Sequence, residues 1–134
     1  MKIPKRSKYK KYHKNKIKGT DFRSSSLQMG SYGLKAVENG RVSASQIETL
    51  RQTIGRKIRP RGRLWIRIFP YLPVTQKPSE VRMGKGKGAV KLWVCPVKRG
   101  QILYEVSGVS RDAAKIALKG AADKLPFKSR IITY

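Results

Sequence analysis

The sequence predicts an α+β fold in which two helices pack on a mainly antiparallel sheet. Two segments have apolar residues at helical spacing, and each follows a serine that can cap the N-terminus of a helix. Several other segments alternate apolar and polar residues, as strands do. The chain has 134 residues, which is enough for one domain with a modest core. We therefore expect a single domain over residues 21–134, preceded by a basic arm over residues 1–20.

The arm is defined by its charge. Nine of the first eighteen residues are Lys or Arg, and no acidic residue occurs before Asp21. Such a segment cannot bury enough apolar surface to fold alone, so we expect it to order against a polyanionic partner. A solvated tail is the alternative. The candidate contacts in the arm are Lys5, Arg6, Lys8, Lys10, Lys11, His13, Lys14, Lys16 and Lys18.

The first helix follows a loop and a short strand. Residues 21–30 are expected to form the loop and residues 31–37 the strand, which ends at the turn signal Asn39-Gly40. The helix begins at Ser43 or Ser45, because each has Gln or Glu three residues later, the spacing of a capping box. A proline ends it. Its apolar stripe consists of Ile47, Leu50, Ile54 and Ile58.

The second half of the chain is predicted to be mostly strand. Alternation indicates strands over residues 63–69, 89–97 and 101–106, and we expect a hairpin turn at 98–100 to join the last two. Three prolines between residues 70 and 80 predict a connection with little regular structure. Ser110 then caps an alanine-rich second helix, which is stopped by a proline and followed by a final strand.

Net charge limits the classes of partner. The chain carries 32 Lys and Arg against 7 Asp and Glu, a formal charge of +25. A compact body with so much uncompensated charge repels itself, so a polyanion is the expected partner. We expect no membrane contact, because no apolar run approaches the ~20 residues needed to span a bilayer. No signal peptide is recognisable at the N-terminus.

A second basic cluster surrounds the end of the first helix. The helix dipole favours one or two cations there, not six. We therefore expect phosphate contacts from this cluster, a solvated face being the alternative. Its members are Arg51, Arg56, Lys57, Arg59, Arg61 and Arg63, and Arg67 on the following strand is a further candidate.

A glycine-lysine loop precedes the strand at residues 89–97. It comprises Arg82, Met83, Gly84, Lys85, Gly86, Lys87 and Gly88. Glycines at alternate positions let the backbone follow a surface closely while the lysines project from it. The spacing fits neither a Walker A loop nor a dinucleotide fingerprint. We expect the loop to be mobile in isolation and to order against RNA; a plain flexible hairpin tip is the alternative.

Catalysis finds little support in the sequence. The only histidine lies in the arm, the seven acids are scattered, and the serines lack a nucleophile-elbow pattern. The single cysteine, Cys95, excludes an internal disulfide and is expected to be buried and inert. We predict no enzymatic activity, no catalytic residue, no metal site and no cofactor. The positive charge is spread over several elements, which favours contact with folded RNA. No standard DNA-reading motif is present, which argues against DNA.

Several motifs resemble one known family over nearly the whole chain. They include PKRSKYKKYHK, SYGLKAVENGR, RGRLWIRIFP, KPSEVRMGKGKG and GQILYEVSGVS. The chain resembles the bacterial-type large-ribosomal-subunit protein sixteen family, also called the universal L-sixteen family. Segments 22–29, 70–72 and 89–92 depart from the expected pattern. The last of these affects the contacts expected just beyond the glycine-lysine loop, not the loop itself.

The resemblance implies a structural constituent of the large ribosomal subunit with a compact fold and a barrel-like sheet. Such a protein braces rRNA around the A site and approaches tRNA, with the loop at 82–88 directed toward the peptidyl-transferase centre. The implied partners are large-subunit rRNA, tRNA and neighbouring large-subunit proteins, without a homo-oligomer. The family begins where this chain begins, so we expect no import presequence. The motifs and the Lys-, Ile- and Tyr-rich composition favour the mitochondrial matrix over a bacterial cytoplasm or a chloroplast stroma.

Overall fold

A computed structural model describes residues 3–134 and contains two helices and seven strands within them. The first two residues of the predicted arm lie outside the described residues. The elements are β1 Tyr32–Ala36, β2 Gly40–Ser43, α1 Ala44–Ile58, β3 Arg63–Ile66, β4 Leu72–Gln76, β5 Ala89–Val97, β6 Ile102–Ser107, α2 Arg111–Ala122 and β7 Ser129–Thr133. None of the helices in this part of the chain is long and apolar enough to cross a membrane.

The strands form two antiparallel sheets. One has the order β3-β6-β1-β7 and the other the order β2-β5-β4. The predicted α+β class and antiparallel pairing are confirmed. The expectation of a barrel-like sheet is wrong, because within residues 3–134 no ladder of hydrogen bonds joins the edge strands of one sheet to those of the other.

The connection between β5 and β6 explains why the sheet is divided. A hairpin turn was expected at residues 98–100, but β5 and β6 lie in different sheets, so this prediction is wrong. Gly100 has a φ of +90°, and its amide donates to the carbonyl of Ala36 at 2.7 Å. The chain therefore passes from one sheet to the centre of the other, where β6 pairs with β1 and β3.

Capping fixes where both helices begin. The amide of Gln46 donates to Ser43 Oγ at 3.2 Å, and the amide of Ser43 donates to Gln46 Oε1 at 2.8 Å. This reciprocal pair selects Ser43 as the cap. Ser110 caps α2, as predicted. The four residues of the predicted α1 stripe are all buried.

Two strands, β2 and β4, were not predicted from the sequence. β2 is only four residues long and runs directly into the cap of α1. β4 lies within the segment 70–80 that was expected to lack regular structure, so that prediction is wrong. It contains Pro73, which is tolerated because β4 is an edge strand and needs a donor toward one neighbour only.

The core lies between the helices and the two sheets. Leu34, Leu50, Ile54 and Tyr104 are fully buried there, and the Tyr104 hydroxyl donates to the carbonyl of Ile47 at 2.8 Å. Burial raises the pKa of this hydroxyl. Cys95 is also buried, as predicted, and burial raises the pKa of its thiol, which keeps it protonated.

Candidate nucleic-acid interface

The glycine-lysine loop is the tip of a hairpin that extends from the domain. β4 and β5 pair from Leu72 opposite Val94 to Gln76 opposite Ala89, and residues 77–88 join them. Met83 at the tip is fully exposed, and residues 81–87 are all exposed. The hairpin therefore presents the loop beyond the core, where another molecule can approach it from several directions.

The three glycines of the loop have different surroundings. A Cβ at Gly88 would lie 2.6 Å from the carbonyl carbon and oxygen of Gln76, so no side chain fits there. A Cβ at Gly84 or Gly86 would meet nothing within 4 Å. None of the three has a positive φ. Gly88 is thus required by the hairpin itself, whereas Gly84 and Gly86 leave open space next to the backbone.

This difference gives a stability prediction. Gly88→Ala should lower the free energy of unfolding by about 1–3 kcal/mol, because the new methyl group displaces the backbone of β4. Gly84→Ala and Gly86→Ala, the matched controls, should leave the midpoint of thermal unfolding close to that of the unsubstituted protein. Circular dichroism melts would measure all three. Equal losses at the three positions would contradict this account of the loop.

The arm follows the surface of the domain and is held through its backbone. Arg41 Nη2 donates to the carbonyl of Asn15 at 2.9 Å, and Asn39 Nδ2 donates to the carbonyl of Ile17 at 3.3 Å. Thr20 forms a parallel bridge with Arg99. The lysine side chains at positions 5, 8, 10, 11, 14, 16 and 18 are exposed. That the arm orders against a partner stays a prediction.

The arm and the loop touch each other. Lys11 Nζ donates to the carbonyl of Lys87 at 2.9 Å, and Lys87 Nζ donates to the carbonyl of Tyr12. Neither ammonium group has a carboxylate partner among the ion pairs of residues 3–134. The structure thus joins two predicted RNA-binding elements into one cationic surface, which we call the arm-loop surface: residues 3–18 and 82–88.

A second cationic surface lies at the end of α1. Arg56, Lys57, Arg59, Arg61 and Arg63 are all exposed there; we call them the helix-exit cluster. Lys57 Nζ donates to the carbonyl of Ile116 at 3.3 Å, and no member forms an ion pair within the described chain. The cluster borders a shallow depression beside residues 108–110, just ahead of α2.

Two other predicted contacts are engaged within the protein. Arg51 pairs with Glu48, with 2.5 Å between Nη2 and Oε1. The hydrogen bonds from Arg51 lower the pKa of Glu48 to about 2. Arg67 pairs with Glu105, with 2.5 Å between Nη1 and Oε1, and also donates to the carbonyl of Ser26 at 3.0 Å. Contact of either arginine with rRNA stays a prediction.

Glu105 was not singled out by the sequence, yet it organises the loop before β1. Its side chain is fully buried, and Oε2 accepts from the amides of Met29 at 2.7 Å, Gly30 at 2.8 Å and Gln28 at 3.2 Å. Burial alone would raise the pKa of Glu105, but these amides and Arg67 together hold it below its usual value. The only sequence signal was one carboxylate inside the otherwise apolar segment of β6.

Among residues 3–134 there is no cluster of three or more His, Cys, Asp or Glu side chains that could hold a metal ion. The acids that the structure brings close to cations serve ion pairs: Glu48 with Arg51, Glu105 with Arg67, and Glu38 with Lys128 at 3.8 Å. What distinguishes the surface of this part of the chain is therefore unpaired positive charge, concentrated in the arm-loop surface and the helix-exit cluster.

Comparison with known proteins gives consistent matches. The sequence model of the family described as ribosomal protein L16p/L10e matches residues 4–132. The chain is similar to proteins named large ribosomal subunit protein uL16 in three bacteria. Identity is 53% with that of Psychrobacter arcticus (96% of this chain, 94% of the relative), 52% with that of Acinetobacter baumannii (97% and 95%) and 55% with that of Rhodospirillum centenum (99% and 94%).

These matches confirm the family indicated by the sequence motifs. They are matches to ribosomal proteins and not to enzymes, which confirms the prediction that the chain is not an enzyme. The relatives named above are bacterial, so they do not support the preference for mitochondria, and a bacterial cytoplasm fits them at least as well. With the family model covering nearly the whole chain, this protein belongs to the ribosomal protein L16p/L10e family.

Proposed function

We propose that this chain is a structural constituent of the large ribosomal subunit that binds rRNA and helps to form the A-site cleft for tRNA near the peptidyl-transferase centre. Membership of a ribosomal protein family supports the ribosomal location. The observation that carries RNA binding is the arm-loop surface. There Lys11 donates to a carbonyl of the loop and Lys87 to a carbonyl of the arm, and neither has a carboxylate partner among residues 3–134.

Electrostatics gives that surface its expected partner. Cations brought together without carboxylates repel one another, and a phosphate backbone relieves this repulsion while releasing its counterions. The helix-exit cluster at the end of α1 is a second exposed cationic surface, formed by other residues than the arm-loop surface. Two cationic surfaces on separate elements suit a protein that contacts folded RNA at more than one place.

The loop at residues 82–88 is proposed to be the part nearest tRNA. Its exposed Arg82 and Lys85 can bind phosphates, and the open space at Gly84 and Gly86 allows an RNA surface to reach the backbone. The proposed partners are accordingly large-subunit rRNA, tRNA and neighbouring large-subunit proteins, with one copy of the chain in each subunit. The division into an arm at 1–20 and a domain at 21–134 remains part of the proposal.

Sedimentation tests the proposal. The tagged protein should travel with large subunits through a sucrose gradient after a moderate salt wash, at about one copy per subunit. Recovery at the top of the gradient, or at a small fraction of one copy, would point instead to a transient factor. Preferential crosslinking to DNA would point to a DNA-compacting protein. Fractionating the source cells would decide between the bacterial cytoplasm and the mitochondrial matrix or chloroplast stroma.

Lys85 and Lys87 should differ in their effects. Lys85 has an exposed side chain at the tip, so Lys85→Ala should weaken A-site tRNA binding to assembled subunits by about tenfold, because one charged interaction is removed. Lys87 also donates to the arm, so Lys87→Ala should in addition make the arm more sensitive to limited proteolysis. The thermal midpoint of both variants should be unchanged.

Lys115→Ala on α2 is the matched control, since its side chain is exposed and lies outside both cationic surfaces. It should change neither tRNA binding nor the cleavage of the arm. If the double variant of Lys85 and Lys87 bound tRNA normally but melted at a lower temperature, the loop would have a structural role and its assignment to tRNA would fail.

A further inference from the structure

A groove lies between the arm and the domain. It has a volume of about 780 Å³, with arm residues 12–18 on one side and residues 67–72 together with the end of β5 on the other. The arm is held by Arg41 and Asn39 at one end of this stretch and by Lys87 at the other, as described above. The arm and the domain thus enclose an open space between them. A space of this size is typical of pockets that hold a small organic group.

Positive charge dominates the lining of the groove. Its free cations include Lys16, Lys18 and Lys98, whereas Asp21 is the one acid in the described lining. Asp21 is already engaged, since its Oδ1 accepts from the amides of Arg23 at 2.9 Å and Ser24 at 3.1 Å. The groove therefore offers an anion several donors and little competition from its own carboxylates.

Arg41 adds an unsatisfied donor. Its Nη2 donates to the arm, and its Nε has no hydrogen-bond partner within the described residues. Arg41 also forms no ion pair in this part of the chain, so its positive charge is not neutralised by a carboxylate. Because Arg41 lines the groove, its guanidinium can attract a phosphate that enters there.

Exposed aromatic rings lie beside these cations. Tyr71 is 56% exposed, Phe69 is 43% exposed, and both line the groove together with Tyr12. Large aromatic side chains are normally covered in a folded domain, and those left open next to cations are what single-stranded nucleic acid uses for base stacking. A base within a duplex is already stacked on its neighbours and cannot enter. An acidic peptide would bind the cations of the groove but would leave the rings of Tyr71 and Phe69 exposed.

We propose that this groove takes an unpaired nucleotide of RNA, with its base against Tyr71 and Phe69 and its phosphate at Arg41 and Lys98, between the arm and the domain. The inference rests on the proposed RNA-binding function and specifies the form of RNA that this part of the protein recognises. Electrostatic contacts along the arm alone would accept duplex and single-stranded RNA alike. The groove would not, because only an unpaired base can reach its rings.

Photocrosslinking of the full-length chain tests this inference. A short single-stranded RNA that contains 4-thiouridine should crosslink to the peptide that carries Phe69 and Tyr71. Tyr71→Leu should reduce this crosslink and the affinity for the strand by about tenfold, the loss expected for one base stack. Tyr134→Leu is the matched control, because Tyr134 is 98% exposed and is not part of the groove lining. It should leave both measurements unchanged.

A second variant keeps the inference testable if Tyr71→Leu fails to fold. Lys98→Gln removes an exposed charge from the groove and should weaken the single strand more than a duplex of the same sequence. Crosslinks that fall only on the arm, or a Tyr71→Leu variant that melts normally and binds the single strand normally, would overturn the inference. So would polyglutamate competing as well as single-stranded RNA. The sedimentation experiment is independent of this test. If the protein travels with large subunits but the groove does not bind single-stranded RNA, only the proposal for the groove fails, and the proposed ribosomal function stands.

Discussion

Glu105→Ala is expected to lower the free energy of unfolding by about 3–5 kcal/mol, the usual result of removing one member of a buried ion pair. The carboxylate accepts from three consecutive amides at residues 28–30 and from Arg67. Its loss leaves the three N–H groups without this acceptor and the Arg67 guanidinium without its carboxylate, although Arg67 still donates to Ser26, and the Arg67 side chain is only 15% exposed. Urea denaturation of the variant and the unsubstituted protein would measure the difference.

Glu48→Ala is the matched control. Glu48 also pairs with an arginine, but on the surface of α1, where solvent screens the attraction. We expect its removal to change stability far less than removal of Glu105. Similar losses in the two variants would show that burial of Glu105 is not what makes its ion pair important.

The contribution of Glu105 to the free energy of unfolding should also depend on pH. The pKa of Glu105 is lower in the folded protein than its ordinary value, so the unfolded state binds the proton more readily. Its contribution is therefore present above the pKa of the unfolded state and is lost as the pH falls through the folded value. Glu105→Gln should flatten this acid-side decline. An equally steep decline in the variant would assign the effect to other carboxylates.

Sequence patterns predicted the elements whose information is local. The alternation around Val94 and Cys95 gave β5 its bounds, and serine caps gave the starts of both helices. β2 was missed because four residues ahead of a cap are too few to show a period. Pro73 argued against a strand, since a sequence does not reveal which strand will lie at an edge.

Long-range pairing was the information that the sequence lacked. The segment at 98–100 has the composition of a turn, and only the placement of β5 and β6 in different sheets shows that it is a crossover. Charge density indicated the arm, and alternating glycines and lysines indicated the loop, but neither pattern predicted the contact of Lys11 with Lys87, which are distant in sequence. Charge density also could not separate the engaged Arg67 from exposed arginines, because Glu105 reaches it from another strand.

Lys10→Gln combined with Lys14→Gln is expected to weaken binding of rRNA and to reduce its dependence on salt. Both side chains are exposed on the arm, and neither has a hydrogen bond or ion pair within the described residues. For each phosphate that the variant no longer neutralises, the slope of log affinity against log salt concentration should fall by roughly 0.7–0.9. Filter binding of the full-length protein to large-subunit rRNA across a salt series would give both quantities.

The matched control carries the same change at Lys115 and Lys119, which are also exposed and four residues apart, but on α2. Net charge falls equally in the two double variants, so a mere effect of total charge would reduce the slope equally in both. A local contact surface predicts a reduced slope only for the arm variant. Equal slopes would show that the arm is a solvated tail, and the RNA contact would then have to be sought at the helix-exit cluster.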